Sequence, residues 1–387
     1  MKQETIIAGA RVFDGEFWFE NAVLSVNDGQ IAGLEAAREL PSGDNVIDAQ
    51  GQLIVPGFID LQVNGGGGVL LNDERSVEGI AAICSAHAKF GTTALLPTLI
   101  TDRPQIVSEV IAAGIAAREQ KIAGFLGLHL EGPHLSIAKK GAHDPNLIRA
   151  MAPTDVVELI EAKTKLDVLL ATVAPENVSQ MQVSELAASG VIISLGHTEA
   201  TFATANDYQA AGARMATHLF NAMLPFGHRE PGLGGAALTN SALYCGLIAD
   251  GVHVHPAAMD IAIKAKAHPG RICLVTDAMS PMGTDMRSFT LNGREILRSE
   301  GRLTLADGTL AGADIDMLSC VLYVHQKLGV PLEEALRMAS LYPAQAVKMD
   351  ATKGRLRKGF DADFVMLTQS LDITSTWIAG NQTFLTQ

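Results

Sequence analysis

The sequence predicts an α/β protein: a (β/α)8 TIM-like barrel with a small β-sandwich domain formed by both chain termini. Three observations carry this reading. Short apolar runs that end in a polar or metal-binding residue recur between residues 58 and 276, and runs of that kind read as buried parallel strands. Most are separated by stretches with apolar residues at helical spacing. Finally, the two ends of the chain carry strand-like segments with no helical period. An open, doubly wound sheet is the alternative, because periodicity does not reveal closure.

Residues 1–54 form the N-terminal part of the β domain, with strands expected at 5–8, 22–26, 31–34 and 46–48, punctuated by Asn27-Asp28-Gly29 and by Gly51. Residues 55–352 form the barrel. Its strands are expected at 58–63, 92–97, 125–130, 168–173, 191–195, 215–219, 245–249 and 272–276. Helices are expected between them at 77–90, 105–119, 154–162, 184–188 and 201–211. After the eighth strand, 289–293 and 301–305 read as a hairpin-like insertion, followed by helices at 315–326 and 332–340. Residues 353–387 return to the β domain with strands at 363–367 and 376–379. Neither end has enough strands to be stable alone, and chain ends that lie close together let the two pair. The glycine runs 65–68 and 232–235 lack the GK[ST] and GxGxxG contexts of phosphate loops, so they read as loops that admit close backbone approach.

Composition narrows the partners. With 48% hydrophobic and 18% charged residues in a chain of 387, a large core can be buried. A formal charge of −13 without Lys/Arg runs argues against nucleic acid and anionic membrane, both of which need a basic footprint. No apolar run approaches about 18 residues, so no membrane span is expected. Cys84, Cys245, Cys273 and Cys320 are isolated, without a CxxC pair, which points away from disulfides and structural zinc. With no apolar signal core near Met1, the expected location is the cytoplasm.

The chemistry gathers at strand ends. Glu131 closes the run Gly127-Leu128-His129-Leu130-Glu131, His197 follows Ser194-Leu195-Gly196, and His218 follows Ala216-Thr217. One carboxylate and two imidazoles, with a position left for water, suit a catalytic Zn²⁺ or a similar first-row metal. Asp277, after Val275-Thr276, offers an acid beside them. A lone histidine after a strand is more often structural, and spacing alone specifies nothing. Four such groups at four strand ends are another matter, because barrels of this class place their sites at the carboxyl ends of the strands.

Two terminal motifs then bear on identity. Val55-Pro56-Gly57-Phe58-Ile59-Asp60 and Gly354-Arg355-Leu356-Arg357-Lys358-Gly359-Phe360-Asp361-Ala362-Asp363 resemble the opening and closing signatures of the amidohydrolase superfamily. The superfamily's His-x-His is replaced here by Gln62 and Asn64. Within it, His129-Leu130-Glu131-Gly132-Pro133-His134, Lys140-Gly141-Ala142-His143, Gly196-His197-Thr198, Thr217-His218-Leu219-Phe220-Asn221-Ala222-Met223, Asp250-Gly251-Val252-His253 and Thr276-Asp277-Ala278-Met279 together resemble the N-acetylglucosamine-6-phosphate deacetylase family.

That resemblance implies a metal-dependent hydrolase that removes acetate from a phosphorylated N-acetyl amino sugar, commonly as a homodimer. It implies Glu131, His197 and His218 as metal ligands, Asp277 as catalytic base and acid, and His143 as the group contacting the carbonyl. Arg229 and His253 match phosphate contacts, with Arg229 on a loop that in the family can reach a neighbouring subunit. Ala142, Asn221, Ala222, Leu310, Ala311 and Gly312 match sugar-contacting positions, and Gln62 would orient the water or touch the substrate. With His-x-His replaced by amides, poor ligands for such metals, a single divalent ion per subunit is expected, Zn²⁺ first and Fe²⁺ or Co²⁺ as alternatives. The fourth strand ends in Val173-Ala174-Pro175-Glu176 and supplies no bridging lysine. Two other readings stay open: a non-catalytic sugar-phosphate-binding scaffold, and an amidohydrolase for another N-acyl amino sugar or a cyclic amide.

Overall fold

The structure is a computed structural model that describes residues 4–39 and 41–386. Eight parallel strands pair strictly in chain order: Phe58–Val63, Thr92–Ile100, Gly127–Glu131, Val168–Val173, Ile192–Leu195, Met215–Ala216, Tyr244–Leu247 and Ile272–Leu274. A doubly wound sheet would reverse direction in the middle, so the open alternative falls. Closure comes from a parallel bridge between Val63 and Ala278. Backbone bonds reinforce it from Asp277 N to Gln62 O at 2.9 Å and from Asn64 N to Ala278 O at 2.9 Å. Every residue of the first five strands is buried, as expected where side chains fill the barrel on one face and helices cover the other.

Both termini meet in one mixed sheet. Phe364–Leu367 runs antiparallel to Leu53–Pro56, with Phe364 opposite Pro56 and Leu367 opposite Leu53. Leu53–Pro56 in turn pairs with Thr5–Phe13. This sheet has its own core, in which Phe364 stacks on Trp377 at 5.3 Å between ring centroids amid buried Ile7, Leu24 and Ile54.

Three local expectations need correction. Gly232–Thr239 is an α-helix rather than a loop, and all but Thr239 of its residues up to Leu238 are buried. Small residues are demanded there, since a Cβ on Gly235 would lie 2.2 Å from Pro231 Cβ. A second helix without clear sequence signal, Pro256–Ala265, follows the seventh strand. The expected hairpin after the eighth strand is a four-stranded antiparallel sheet, Ser288–Leu291, Arg294–Ser299, Arg302–Thr304 and Leu310–Ala313. Its last strand contains Leu310, Ala311 and Gly312, which lie over the barrel mouth. Among the described residues, no helix is long and apolar enough to cross a membrane.

Candidate metal centre and active site

Each strand-end residue singled out in the sequence lies at the carboxyl rim of the barrel, and three of them adopt a backbone that side chains normally avoid. His197, His218 and Asp277 have φ of 47°, 26° and 53°. Non-glycine residues rarely sit there, and such strain persists where the surroundings enforce a function. The left-handed turn swings each side chain from its strand end toward the barrel axis.

There the ligand atoms converge. Glu131 Oε1 lies 3.1 Å from His218 Nε2 and 3.3 Å from His197 Nε2, and the two imidazole nitrogens are 3.0 Å apart. Four-coordinate zinc with bonds of about 2.0–2.1 Å requires ligand–ligand edges of roughly 3.3–3.4 Å, close to this triangle. Its protonation fits a cation as well. The Lys139 carbonyl, 2.8 Å from His197 Nδ1, only accepts, so Nδ1 carries a hydrogen and Nε2 is the nitrogen left to face the triangle. A carbonyl partner of this kind is the usual support of a metal-binding histidine. Glu131, His143 and His197 also bring ligand atoms within 4.8 Å of one another. That set is looser, with His143 Nε2 4.0 Å from Glu131 Oε2, so the triangle through His218 is the better fit.

The electrostatics agree with the geometry. Burial pushes the Glu131 carboxyl up, but the two imidazoles outweigh it and hold it well below the usual range. His218 is pushed down by burial and lifted above its ordinary value by Glu131. Asp277 is raised to about 6 by burial and by the Glu131 charge. A bound divalent cation would be the largest local charge and would draw Asp277 back toward its ionised form.

Asp277 is held from the first strand. Asn64 Nδ2 donates to its Oδ1 at 2.6 Å, and Gln62 Nε2 donates to the same oxygen at 3.2 Å and to Glu131 Oε1 at 3.0 Å. Beneath it, Asp60 accepts from the Thr276 hydroxyl at 2.5 Å and from the Gln62 amide at 3.2 Å. Burial raises the Asp60 carboxyl to about 7. The four-stranded sheet closes over this from outside, with Ala313 N donating to Asp277 O at 2.9 Å. Gly312, at φ +72°, leaves no room for a Cβ between Met279 and the Asp277 carbonyl.

A cavity of about 420 Å³ opens on the cluster. Ala142, His143, Asn221, Ala222 and His253 line it, as do Leu310, Ala311 and Gly312 from the covering sheet. His253 Nδ1 donates to Asp250 Oδ2 at 2.6 Å, which fixes the ring. Asp250 is pushed up by burial but held below its usual range by His253. Another enclosed space, beside His134 and Arg149, measures only about 20 Å³ and is too small for a sugar. Arg229 stands apart: it is exposed on the loop before Gly232–Thr239 and does not line the cavity. No Lys or Arg does so among the described residues.

Sequence reasoning named Gln62 but passed over two contributors. Asn64 had a signal, since alternate residues of a barrel strand share its inner face. Thr101, which bonds His143 Nδ1 through its hydroxyl at 2.8 Å, had none.

Comparison with known proteins supplies the remaining facts. Residues 53–383 match the amidohydrolase family. The chain is 39% identical over 377 residues to an N-acetylgalactosamine-6-phosphate deacetylase of Shewanella sp. (strain ANA-3), covering 97% of this chain and 95% of that one. It is 39% identical over 351 residues to an N-acetylglucosamine-6-phosphate deacetylase of Danio rerio, covering 88% and 86%. Its fold superposes, with a TM-score of 0.90 and 29% identity, on a mutant N-acetyl-D-glucosamine-6-phosphate deacetylase from Mycobacterium smegmatis in complex with N-acetyl-D-glucosamine-6-phosphate, covering 98% of this chain and 99% of that one.

Proposed function

This chain belongs to the amidohydrolase family, and from that premise we propose that it hydrolyses N-acetyl-D-glucosamine 6-phosphate to D-glucosamine 6-phosphate and acetate in amino-sugar catabolism. The observation that carries the reading is the Glu131, His197 and His218 triangle with Asp277 beside it at the floor of a sugar-sized cavity. The kinship with deacetylases of two phosphorylated N-acetyl hexosamines supports the substrate class.

Glu131, His197 and His218 would hold one divalent ion, Zn²⁺ first by ligand chemistry and Fe²⁺ or Co²⁺ after it, which supplies Lewis acidity and a water acidified toward neutrality. Asp277 Oδ1 is occupied by two amide donors, so Oδ2 is the oxygen that takes the water's proton. Attack forms the new C–O bond at the acetyl carbon, and His143 Nε2–H donates to the carbonyl oxygen as it gains charge. Asp277 then returns the proton to the amide nitrogen, the C–N bond breaks, and the neutral amine leaves.

Substrate orientation falls to Ala142, Asn221, Ala222 and the strand carrying Leu310, Ala311 and Gly312, with His253 toward the phosphate. A dianion in a chain of net charge −13 needs a cation that this cavity lacks on its own. Arg229 on its exposed loop would supply it in a homodimer that brings the loop to a neighbouring cavity, where guanidinium suits bidentate phosphate binding. Four free buried thiols fit a reducing cytoplasm.

The test is acetate release by metal-loaded protein from three compounds: N-acetylglucosamine 6-phosphate, its C4 epimer N-acetylgalactosamine 6-phosphate, and unphosphorylated N-acetylglucosamine. Turnover of the first above the other two is expected. Preference for the epimer would reassign the sugar, and release from none of them would sink the hydrolase reading in favour of a binding scaffold.

A further inference from the structure

We propose that Thr101 is a positioning residue that sets the tautomer of His143, keeping the ring hydrogen on Nε2 so that an N–H faces the substrate carbonyl. This rests on the reading of His143 as the carbonyl's donor.

Thr101 follows the second barrel strand and is 0% exposed. It meets His143 Nδ1 twice, through its hydroxyl at 2.8 Å and its backbone N–H at 3.3 Å. A hydroxyl alone would decide nothing, since it can donate or accept. The backbone amide breaks the tie, because it only donates and its hydrogen points at Nδ1. A hydrogen on Nδ1 would meet that amide hydrogen head-on in a buried wall. Nδ1 therefore carries the lone pair, the hydroxyl turns its own hydrogen toward it, and the ring hydrogen is on Nε2. That nitrogen faces Glu131 Oε2 at 4.0 Å, on the rim of the cavity.

The neighbouring backbone is shaped around the same contact. Gly132 has φ +97°, and a Cβ built there would lie 2.2 Å from Thr101 Oγ1. The glycine after Glu131 thus leaves the space that the hydroxyl occupies. In the other tautomer His143 would aim a lone pair at a carbonyl gaining negative charge, which repels where an N–H attracts. Fixing the tautomer in advance avoids ring reorganisation during the reaction.

The experiment uses full-length, zinc-loaded protein labelled with ¹⁵N-histidine. Long-range ¹H–¹⁵N spectra, with His143 identified by its loss in His143→Gln, should show an unprotonated Nδ1 and a protonated Nε2. Thr101→Val keeps the shape and the backbone donor but removes the hydroxyl's: Nδ1 should stay unprotonated with its ¹⁵N resonance shifted by the lost hydrogen bond, with kcat lowered about tenfold, equivalent to one ordinary hydrogen bond, and KM within about twofold. Thr101→Ser should restore both readouts. A protonated Nδ1 in the unmutated protein overturns the proposal, as does a Thr101→Val variant with unchanged Nδ1 resonance and kcat. Wild-type kcat in His143→Gln would instead overturn the role of His143, a failure the spectrum keeps separate.

Discussion

Truncating Asn64 isolates what holds the catalytic carboxylate. In Asn64→Ala the 2.6 Å bond to Asp277 Oδ1 is lost, while the Gln62 donor at 3.2 Å remains. Hydrogen bonds to a charged group contribute about 1.5–3 kcal/mol. If that orientation matters only when Asp277 takes the proton, the whole loss falls on the transition state, and kcat drops about 10- to 150-fold. KM should stay within about threefold, because an interaction absent from substrate binding leaves KM alone. Asn64 Oδ1 is itself buried without a partner, so truncation also removes an unsatisfied acceptor, which limits the loss of stability. The assay is steady-state acetate release, with metal content measured on the same samples. An unchanged kcat would refute the reasoning, as would a raised KM at constant kcat or a loss of bound metal.

Glu131→Gln and His197→Ala should each bring metal content, measured by elemental analysis, from about one ion per chain to near none, whereas Asp277→Asn should keep the ion; equal metal loss in all three would move Asp277 into the ligand set. Asp277→Asn should also lower kcat by a factor on the order of 10³, within the usual range for a positioned acid–base group. Residual turnover near wild type would remove it from the mechanism. Away from the site, Asp155 accepts from both Arg149 guanidinium nitrogens at 2.5 and 2.6 Å and from Ala152 N at 2.7 Å. Burial pushes this carboxyl up, but Arg149 outweighs it and holds it below its ordinary value. Its stabilisation is therefore fully present above the unfolded pKa of about 3.9 and lost as pH falls through the lower folded value. Asp155→Asn should cost about 1–2 kcal/mol in urea unfolding at pH 7, and the gap to wild type should narrow toward pH 3; a gap independent of pH would contradict the ion pair.

The barrel was legible because its strands are buried on both sides and so announce themselves as apolar runs, four of the eight leading to Glu131, His197, His218 or Asp277. Helix Gly232–Thr239 was not, since its residues are nearly all small and apolar and carry no amphipathic period. The four-stranded cover was half seen: the runs at Ser288–Leu291 and Arg302–Thr304 were legible, whereas Arg294–Ser299 is charged and half exposed and Leu310–Ala313 is short, so that only long-range pairing makes them strands. Of the site, the ligand triangle could be inferred from residue type at strand ends and its convergence expected from the barrel class, but not the left-handed turns at 197, 218 and 277 that deliver it, which residue identity does not predict. Thr101 lay beyond reach for a similar reason. Its partner is 42 positions away, and a threonine after a buried strand looks like any other.

The amides at 62 and 64 connect these strands of argument. On an inner strand face, residues two apart point the same way, so whatever stands at these positions meets the cluster. Histidines there would offer lone pairs and invite a second cation. Carboxamides offer N–H donors, and here both donors go to carboxylate oxygens: Gln62 to Glu131 and Asp277, Asn64 to Asp277. Glu131 and Asp277 must sit close, and each raises the cost of ionising the other, as the elevated Asp277 carboxyl records. A shared neutral donor eases that repulsion without adding charge, and it leaves one Asp277 oxygen engaged and the other directed to the cavity. On the proposed mechanism, the replacement that would remove a second metal position thereby orients the proton carrier beside the Glu131, His197 and His218 triangle.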